Sequence, residues 1–267
     1  MGAAIIFVHL VIAVIGPVIA PHDPGQMGVG PRMTGASWDH PLGVDQLGRD
    51  VLSRVLHGSH IVIALAVAGT ALGIVLGSLI GLLSAYFGGW IDEIIQRLVE
   101  ALISIPFIVM ALLIIASVGP ERAGSPAVIV FVIAFVYLPR VTRMARSAGL
   151  DIVSRDYMLA ARLRGDPALS IVRREMAPNA TGVLLVEFAL RAGYAPILVG
   201  ALGFLGFGLR PPTPEWGLMM AENREMILIA PVTVLGPGIA LATLVIGLNL
   251  LTDGIARIVG RTAVTAP

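Results

Sequence analysis

Long apolar runs separated by short polar ones dominate the chain. The first extends from Ala3 to Ala20 and contains Pro17. Others extend from about Ile61 to Phe87, from about Leu98 to Val118 with Pro106 inside, and from Ala127 to about Val141. Two more lie at Ala180 to about Phe204 and about Ile227 to Leu251, the last with Pro231 and Pro237. A helix needs roughly 20 residues to cross hydrocarbon. The pattern predicts an all-α integral membrane protein with about six transmembrane helices. The first run reads as an uncleaved span, because no arginine precedes it and Pro21 would follow a Val-Ile-Ala cleavage site. Only two residues stand before it, so the native start is expected upstream of Met1.

The polar segments carry their own patterns. Pro21 to Asp39 is rich in Pro and Gly and reads as an irregular loop. His40 to Gly58 (HPLGVDQLGRDVLSRVLHG) predicts an amphipathic helix lying in the membrane interface, capped by Asp45 and ended by Gly58. Leu47, Val51 and Val55, with Leu52 and Leu56, form its apolar face, and Asp50 is spaced to pair with Arg54. In the second span Gly69, Gly73, Gly77 and Gly81 recur at every fourth position, a small-residue stripe that admits a neighbouring helix closely. That neighbour is expected within the subunit, with a subunit interface or pathway wall as alternatives. Gly88 to Glu100 is a polar break, and Gly119 to Pro126 a tight loop.

The longest polar stretch, Arg140 to Asn179, ends in a predicted helix–turn–helix. Asp156 to Arg164 favours helix and Gly165 can end it. Asp166 can cap a second helix with Pro167 at its first position, and Pro178 is expected to stop that helix. Leu169, Val172 and Met176 are expected to share a face.

Composition supports a lipid-covered surface: 57% of residues are hydrophobic and 13% charged, against about 25% charged in soluble domains. The chain has no cysteine, which excludes disulfides, thiolate metal sites and cysteine nucleophiles. It also has no lysine; all 18 basic residues are arginine. A P-loop needs a lysine after its glycines, so the chain lacks that route to ATP hydrolysis, and Schiff-base cofactors are excluded likewise. Eight of the arginines fall between Arg140 and Arg174. With Arg97, Arg257 and Arg261 they place that loop and both termini in the cytoplasm, and Leu205 to Met226 outside.

Glu187 and Arg191 lie inside the fifth span, four residues apart. Each would cost roughly 2.5–3.5 kcal/mol at a helix centre, so the two are expected to pair and to face the bundle interior or a water-filled cavity. Lining a translocation pathway is one reading; a structural pair is the other. His9 reads as an interfacial or packed residue. His22, His40, His57 and His60 are read as scattered in polar loops, and no spacing indicates a metal site or a catalytic residue set. Asn249 and Asp253 are expected to face the bundle or the cytoplasmic interface.

Ala160 and Ala161, the gap of three to Gly165, and Pro178 beyond it resemble the EAA loop of binding-protein-dependent ABC importer permeases. Leu159 stands where that family often has Glu, and Glu175 and Ala177 replace its usual Ile and Leu. His40–Gly58 and Ala201–Gly217 (ALGFLGFGLRPPTPEWG) resemble segments of the C-type subunits of dipeptide and oligopeptide permeases. Nickel and glutathione permeases have similar subunits. The resemblance implies a type I ABC importer permease fold. Residues 1–58 would form an N-terminal span with a periplasmic or interfacial segment, and 59–267 the transmembrane domain. It implies a coupling loop at about 155–179 in which Asp156, Tyr157, Ala160, Ala161, Arg162, Gly165, Asp166, Pro167, Pro178 and Asn179 meet an ATPase. The implied partners are a homologous B-type permease, two cytoplasmic ATPase domains, an extracytoplasmic substrate-binding protein and the lipid bilayer of a bacterial cell membrane, without nucleic acid. ATP and magnesium would sit on the ATPase partners, with no cofactor on this chain. An ion-gradient-driven secondary transporter is the rival class; it needs mid-membrane coupling carboxylates, for which Glu187 is the one good candidate.

Overall fold

A computed structural model describes residues 1–265, side chains excepted at Pro120, Ala256 and from 258 onward; Arg261 of the orientation argument therefore lies outside the described side chains. The described residues form helices α1 (Gly2–Ile19), α2 (Val51–Phe87), α3 (Gly89–Ile103), α4 (Phe107–Ser117), the single turn α5 (Pro120–Ala123) and α6 (Pro126–Val153). They continue as α7 (Asp156–Leu163), α8 (Ala168–Ile171), a π turn (Val172–Met176), α9 (Ala177–Phe204), α10 (Trp216–Glu222) and α11 (Val232–Thr265). Five helices are long and apolar enough to cross a membrane, and a bent pair makes a sixth crossing if counted as one span.

That bent pair corrects one expectation. The predicted third span is two arms, α3 and α4, which meet at 96° across Ser104–Pro106. Pro106 has no N–H for the ladder and disfavours helical geometry in the residue before it. The α3 arm is also amphipathic, with Asp92, Glu93, Gln96, Arg97 and Glu100 beside its apolar positions.

The region before the second span is corrected too. His40 to Asp50 is irregular chain held by single antiparallel bridges from Thr34 to Val44 and from Val44 to Asp50. The helix begins at Val51, where Asp50 rather than Asp45 accepts the Ser53 N–H at 2.8 Å. Gly58 does not end it. A Cβ there would lie 2.7 Å from the Trp216 indole nitrogen, so its bareness lets the α9–α10 connection seat on α2. The expected division after residue 58 falls inside this unbroken helix.

The glycine stripe packs within the subunit. A Cβ at Gly69 would come 2.6 Å from Ile133 Cβ, one at Gly73 3.0 Å from the Ala134 carbonyl, and one at Gly77 2.8 Å from Val141. Thus α2 and α6 approach nearly backbone to backbone, as small residues allow in lipid. Their seam continues past Val141, the predicted end of the fourth span: Thr142, Ala145, Gly149 and Ile152 remain buried and carry α6 on to Val153. At the other flank α1 packs on α2 and α11, where a Cβ at Gly2 would meet Leu250 and one at Gly16 would meet Leu56. Two ends result. One gathers the Gly88 break, the Gly165 turn and the N-terminus; the other gathers residues 21–50 and the α9–α11 connection.

Candidate translocation path and coupling turn

Glu187 and Arg191 sit one turn apart on α9 and pair as their spacing predicts. The Arg191 Nε donates to Glu187 Oε1 at 2.8 Å, and Nη2 donates to the same oxygen. Glu187 is 3% exposed. The Arg191 guanidinium also faces the Tyr137 ring, 5.8 Å from its centroid, within cation–π range.

Two cavities meet at Arg191. One, of about 330 Å³, is lined by Phe107, Tyr137, Arg140, Arg191 and Tyr194 among others. The second, of about 450 Å³, is lined by Ile103, Arg140, Arg143, Ser147, Glu187 and Arg191 among others. Arg140 and Arg191 belong to both walls. Among the described residues Glu187 is the one carboxylate in the second lining, against three guanidiniums. Charges inside a membrane protein face water or partners, and this excess of positive charge suits a solute bearing carboxylate. Ile103 and Phe107 flank the break at Pro106, so the bend brings both arms of the third span to the cavities.

At the end of the bundle where α2 and α6 finish, the chain folds into a packed turn. Met158 and Ala161 of α7 are fully buried with Ile171, Val172 and Met176, against Leu82, Ala85, Ala145 and Ile152. Gly165 has φ +75°, the left-handed region that favours glycine. Asp166 does not cap the next helix; its carboxylate binds Arg164 at 3.0 Å, and Arg164 reaches Glu175 at 3.5 Å. Pro167 stands in extended geometry just before α8 rather than at its first position. Leu169 is exposed, so the buried face is Ile171, Val172 and Met176.

Pro178 does not stop the helix. It occupies the first turn of α9, where a missing N–H costs little, and the π turn of Val172–Met176, closed by the Ala177 N–H on the Val172 carbonyl, joins it to α8 as one helical run from Ala168 to Phe204. Asn179 Nδ2 donates to the Glu175 carbonyl at 2.6 Å across this junction. Facing outward on the same turn are Tyr157, Leu159, Ala160 and Leu163, with Leu163 79% exposed. Arg162 donates to the Tyr86 carbonyl at 3.2 Å and covers the Tyr86 ring.

The opposite end is braced by buried charge. Arg49 binds Asp45 at 2.6 Å and Glu222 at 2.7 Å; Arg54 binds the same two carboxylates at 2.8 and 3.0 Å. The expected Asp50–Arg54 pair is therefore replaced: Asp50 turns to His40, Ser53 and the helix cap. Trp216 donates its indole N–H to the Val55 carbonyl at 3.0 Å. Glu215 accepts the Gly217 and Leu218 N–H groups at the start of α10. Burial pushes its carboxyl up to about 7, against the opposing pull of those two N–H donors.

Residues 73–264 match the family described as binding-protein-dependent transport system inner membrane component. The chain belongs to that family. It is 31% identical over 263 residues to the dipeptide transport system permease protein DppC of Alkalihalophilus pseudofirmus, covering 96% of this chain and 83% of the relative. It is 34% identical over 255 residues to the glutathione transport system permease protein GsiD of Escherichia coli, covering 95% and 83%. The same protein of Pectobacterium atrosepticum is 35% identical over 256 residues, covering 95% and 84%. The chain is thus an ABC importer permease subunit, a multi-pass membrane protein with the type I permease fold.

Within this permease the structure gathers the sequence-derived candidates into separate places. Glu187 and Arg191 share one wall, and the residues from Asp156 to Asn179 share one turn. Sequence reasoning did not place Arg140, Arg143, Tyr137 and Tyr194 in the cavity lining. The available signal was helical spacing: Tyr137 and Arg140 are three apart, as are Arg140 and Arg143, and so lie on one face once α6 runs on past Val141. His9 is packed, donating to or accepting from Thr243 at 3.1 Å beside the Trp216 ring. His57 and His60 belong to α2, not to a loop.

Proposed function

We propose that this subunit forms one half of the passage of an ATP-driven importer for short peptides. The observation that carries the reading is the cluster of Arg140, Arg143 and Arg191 with Glu187 where the two cavities join. Every short peptide with free termini presents at least one carboxylate and one ammonium. Arg140 and Arg143 meet the carboxylate, and Glu187, already paired with Arg191, meets the ammonium. The relatives' transport of dipeptides and glutathione supports a peptide with a free carboxylate.

The power stroke comes from outside the chain, since the sequence holds no P-loop lysine. A homologous permease completes the passage, and two cytoplasmic ATPase domains bind ATP and magnesium. The exposed apolar side chains Tyr157, Leu159 and Leu163 dock in an ATPase groove. Closure of the ATPases moves the 155–179 turn. Because its buried face is continuous with the ends of α2 and α6, the spans tilt with it. An extracytoplasmic binding protein delivers the peptide to the α9–α11 connection. The subunit lies in a bacterial plasma membrane with both termini in the cytoplasm.

Reconstitution tests the reading. The complete complex in proteoliposomes, with binding protein outside and ATP at the ATPase face, is expected to accumulate labelled dipeptide. Arg140→Gln with Arg143→Gln is expected to reduce that uptake while ATP hydrolysis continues. Accumulation driven by an ion gradient, by this subunit alone and without ATP, overturns it.

A further inference from the structure

The sequence separates His22, His40 and Asp50, yet the fold brings one ligand atom of each within 4.8 Å of the others. His40 Nδ1 lies 2.9 Å from Asp50 Oδ1. His22 Nδ1 is buried and has no hydrogen-bond partner. The two imidazole centroids are 5.5 Å apart with planes inclined by 34°. The His22 backbone is tied to the cluster: its N–H donates to Ser53 Oγ at 3.1 Å, and Ser53 Oγ donates in turn to Asp50 Oδ2 at 2.7 Å. Asp50 Oδ2 also caps α2 through the Ser53 N–H. Nearby Arg49 and Arg54 spend their charge on Asp45 and Glu222.

The geometry points to a divalent-cation site of the zinc type, formed by His22, His40 and Asp50, at the end of the bundle opposite Gly165. Imidazole nitrogen favours zinc, nickel and copper over magnesium or calcium, and two imidazoles with one carboxylate leave a fourth tetrahedral position for water. Bond lengths of about 2.0–2.2 Å set ligand atoms about 3.3 Å apart, so the cluster closes on the ion by a contraction of at most about 1.5 Å. Such an ion clamps the irregular 21–50 segment onto the first turn of α2. The unpartnered His22 nitrogen then gains a ligand bond where none of the described residues offers it a hydrogen bond.

Zinc chloride is the probe, and the full-length chain in nanodiscs, with the subunits that copurify with it, is the sample. Wild type and His22→Ala are compared by a chelator-competition titration and by elemental analysis after desalting. His60→Ala is the control, since that residue is exposed and outside the cluster. Wild type and His60→Ala are expected to hold one more zinc per chain than His22→Ala, and His22→Ala to bind at least tenfold more weakly. Cobalt(II) is expected to give tetrahedral visible bands that His22→Ala lacks. Zinc is expected to raise the wild-type unfolding temperature over its value in EDTA and to leave His22→Ala unmoved. His22→Ala spares Asp50, so the α2 cap survives, and unfolding in EDTA confirms an intact fold. Equal zinc content in wild type and His22→Ala overturns the site, as does equal loss in His60→Ala.

Discussion

Arg49 and Glu222 lie 173 positions apart in sequence and 2.7 Å apart in the fold. Their contact fastens the irregular chain before α2 to the end of α10. Arg49 is 1% exposed, and Asp45 and Arg54 close the group on its other side. Arg49→Met leaves two carboxylates sharing one guanidinium away from water. Breaking one partner out of a buried pair costs about 3–5 kcal/mol. The expected outcome is a lower unfolding temperature of the purified protein, and Arg49→Met with Asp45→Leu is expected to recover part of it.

Gly77→Leu is expected to separate α2 from α6, since even a Cβ would lie 2.8 Å from Val141. Overpacking of this kind costs about 1–3 kcal/mol or more. Gly254→Ala meets nothing within 4 Å and is expected to be neutral or to stabilise the helix by up to about 1 kcal/mol. Thermal unfolding of the two variants in the same detergent compares them directly.

Arg143→Gln is expected to slow peptide uptake about tenfold or more at saturating binding protein, the scale of a lost charge-assisted hydrogen bond. Arg143→Lys is expected to retain most of the rate. Uptake in proteoliposomes, normalised to ATP hydrolysis, is the measurement.

Glu215 gives the stability a pH dependence of known sign. Its folded carboxyl is raised from 4.5 to about 7 by burial, so between those values the folded state binds the proton and the unfolded state does not. Its contribution is largest at low pH and is lost as pH rises from about 4.5 to 7. Glu215→Gln is expected to flatten that part of the profile while keeping one backbone hydrogen bond. Unfolding temperature against pH for the two proteins reads the difference.

On the proposed coupling turn, Leu159→Ser changes an exposed side chain and is expected to leave folding intact while lowering ATP-driven uptake. Ala161→Leu fills a fully buried position against the ends of α2 and α6 and is expected to reduce folded yield. Yield and uptake measured on both variants separate docking from packing.

The helical membrane fold was legible in the apolar runs, and Glu187 with Arg191 in a spacing of four. The Gly165 turn was legible because glycine and the neighbouring proline announce local geometry. The start of α2 was not legible because both Asp45 and Asp50 suit a cap, and only the pairing of Asp45 with Arg49 and Arg54, which gather on the distant Glu222, decides between them. The continuation past Pro178 was not legible because the π turn before it, which puts the proline in the first turn of α9, leaves no mark in residue spacing. The His22–His40–Asp50 cluster was invisible because no short spacing marks groups brought together by irregular chain.

The run from Ala168 to Phe204 has a mechanical consequence. A rod of 37 residues is about 55 Å long at 1.5 Å per residue. Tilting one tip by about 10° swings the other by about 10 Å. On the proposed coupling, a tilt begun beside Gly165 would be carried along this rod to the far face, with Arg191 partway along it.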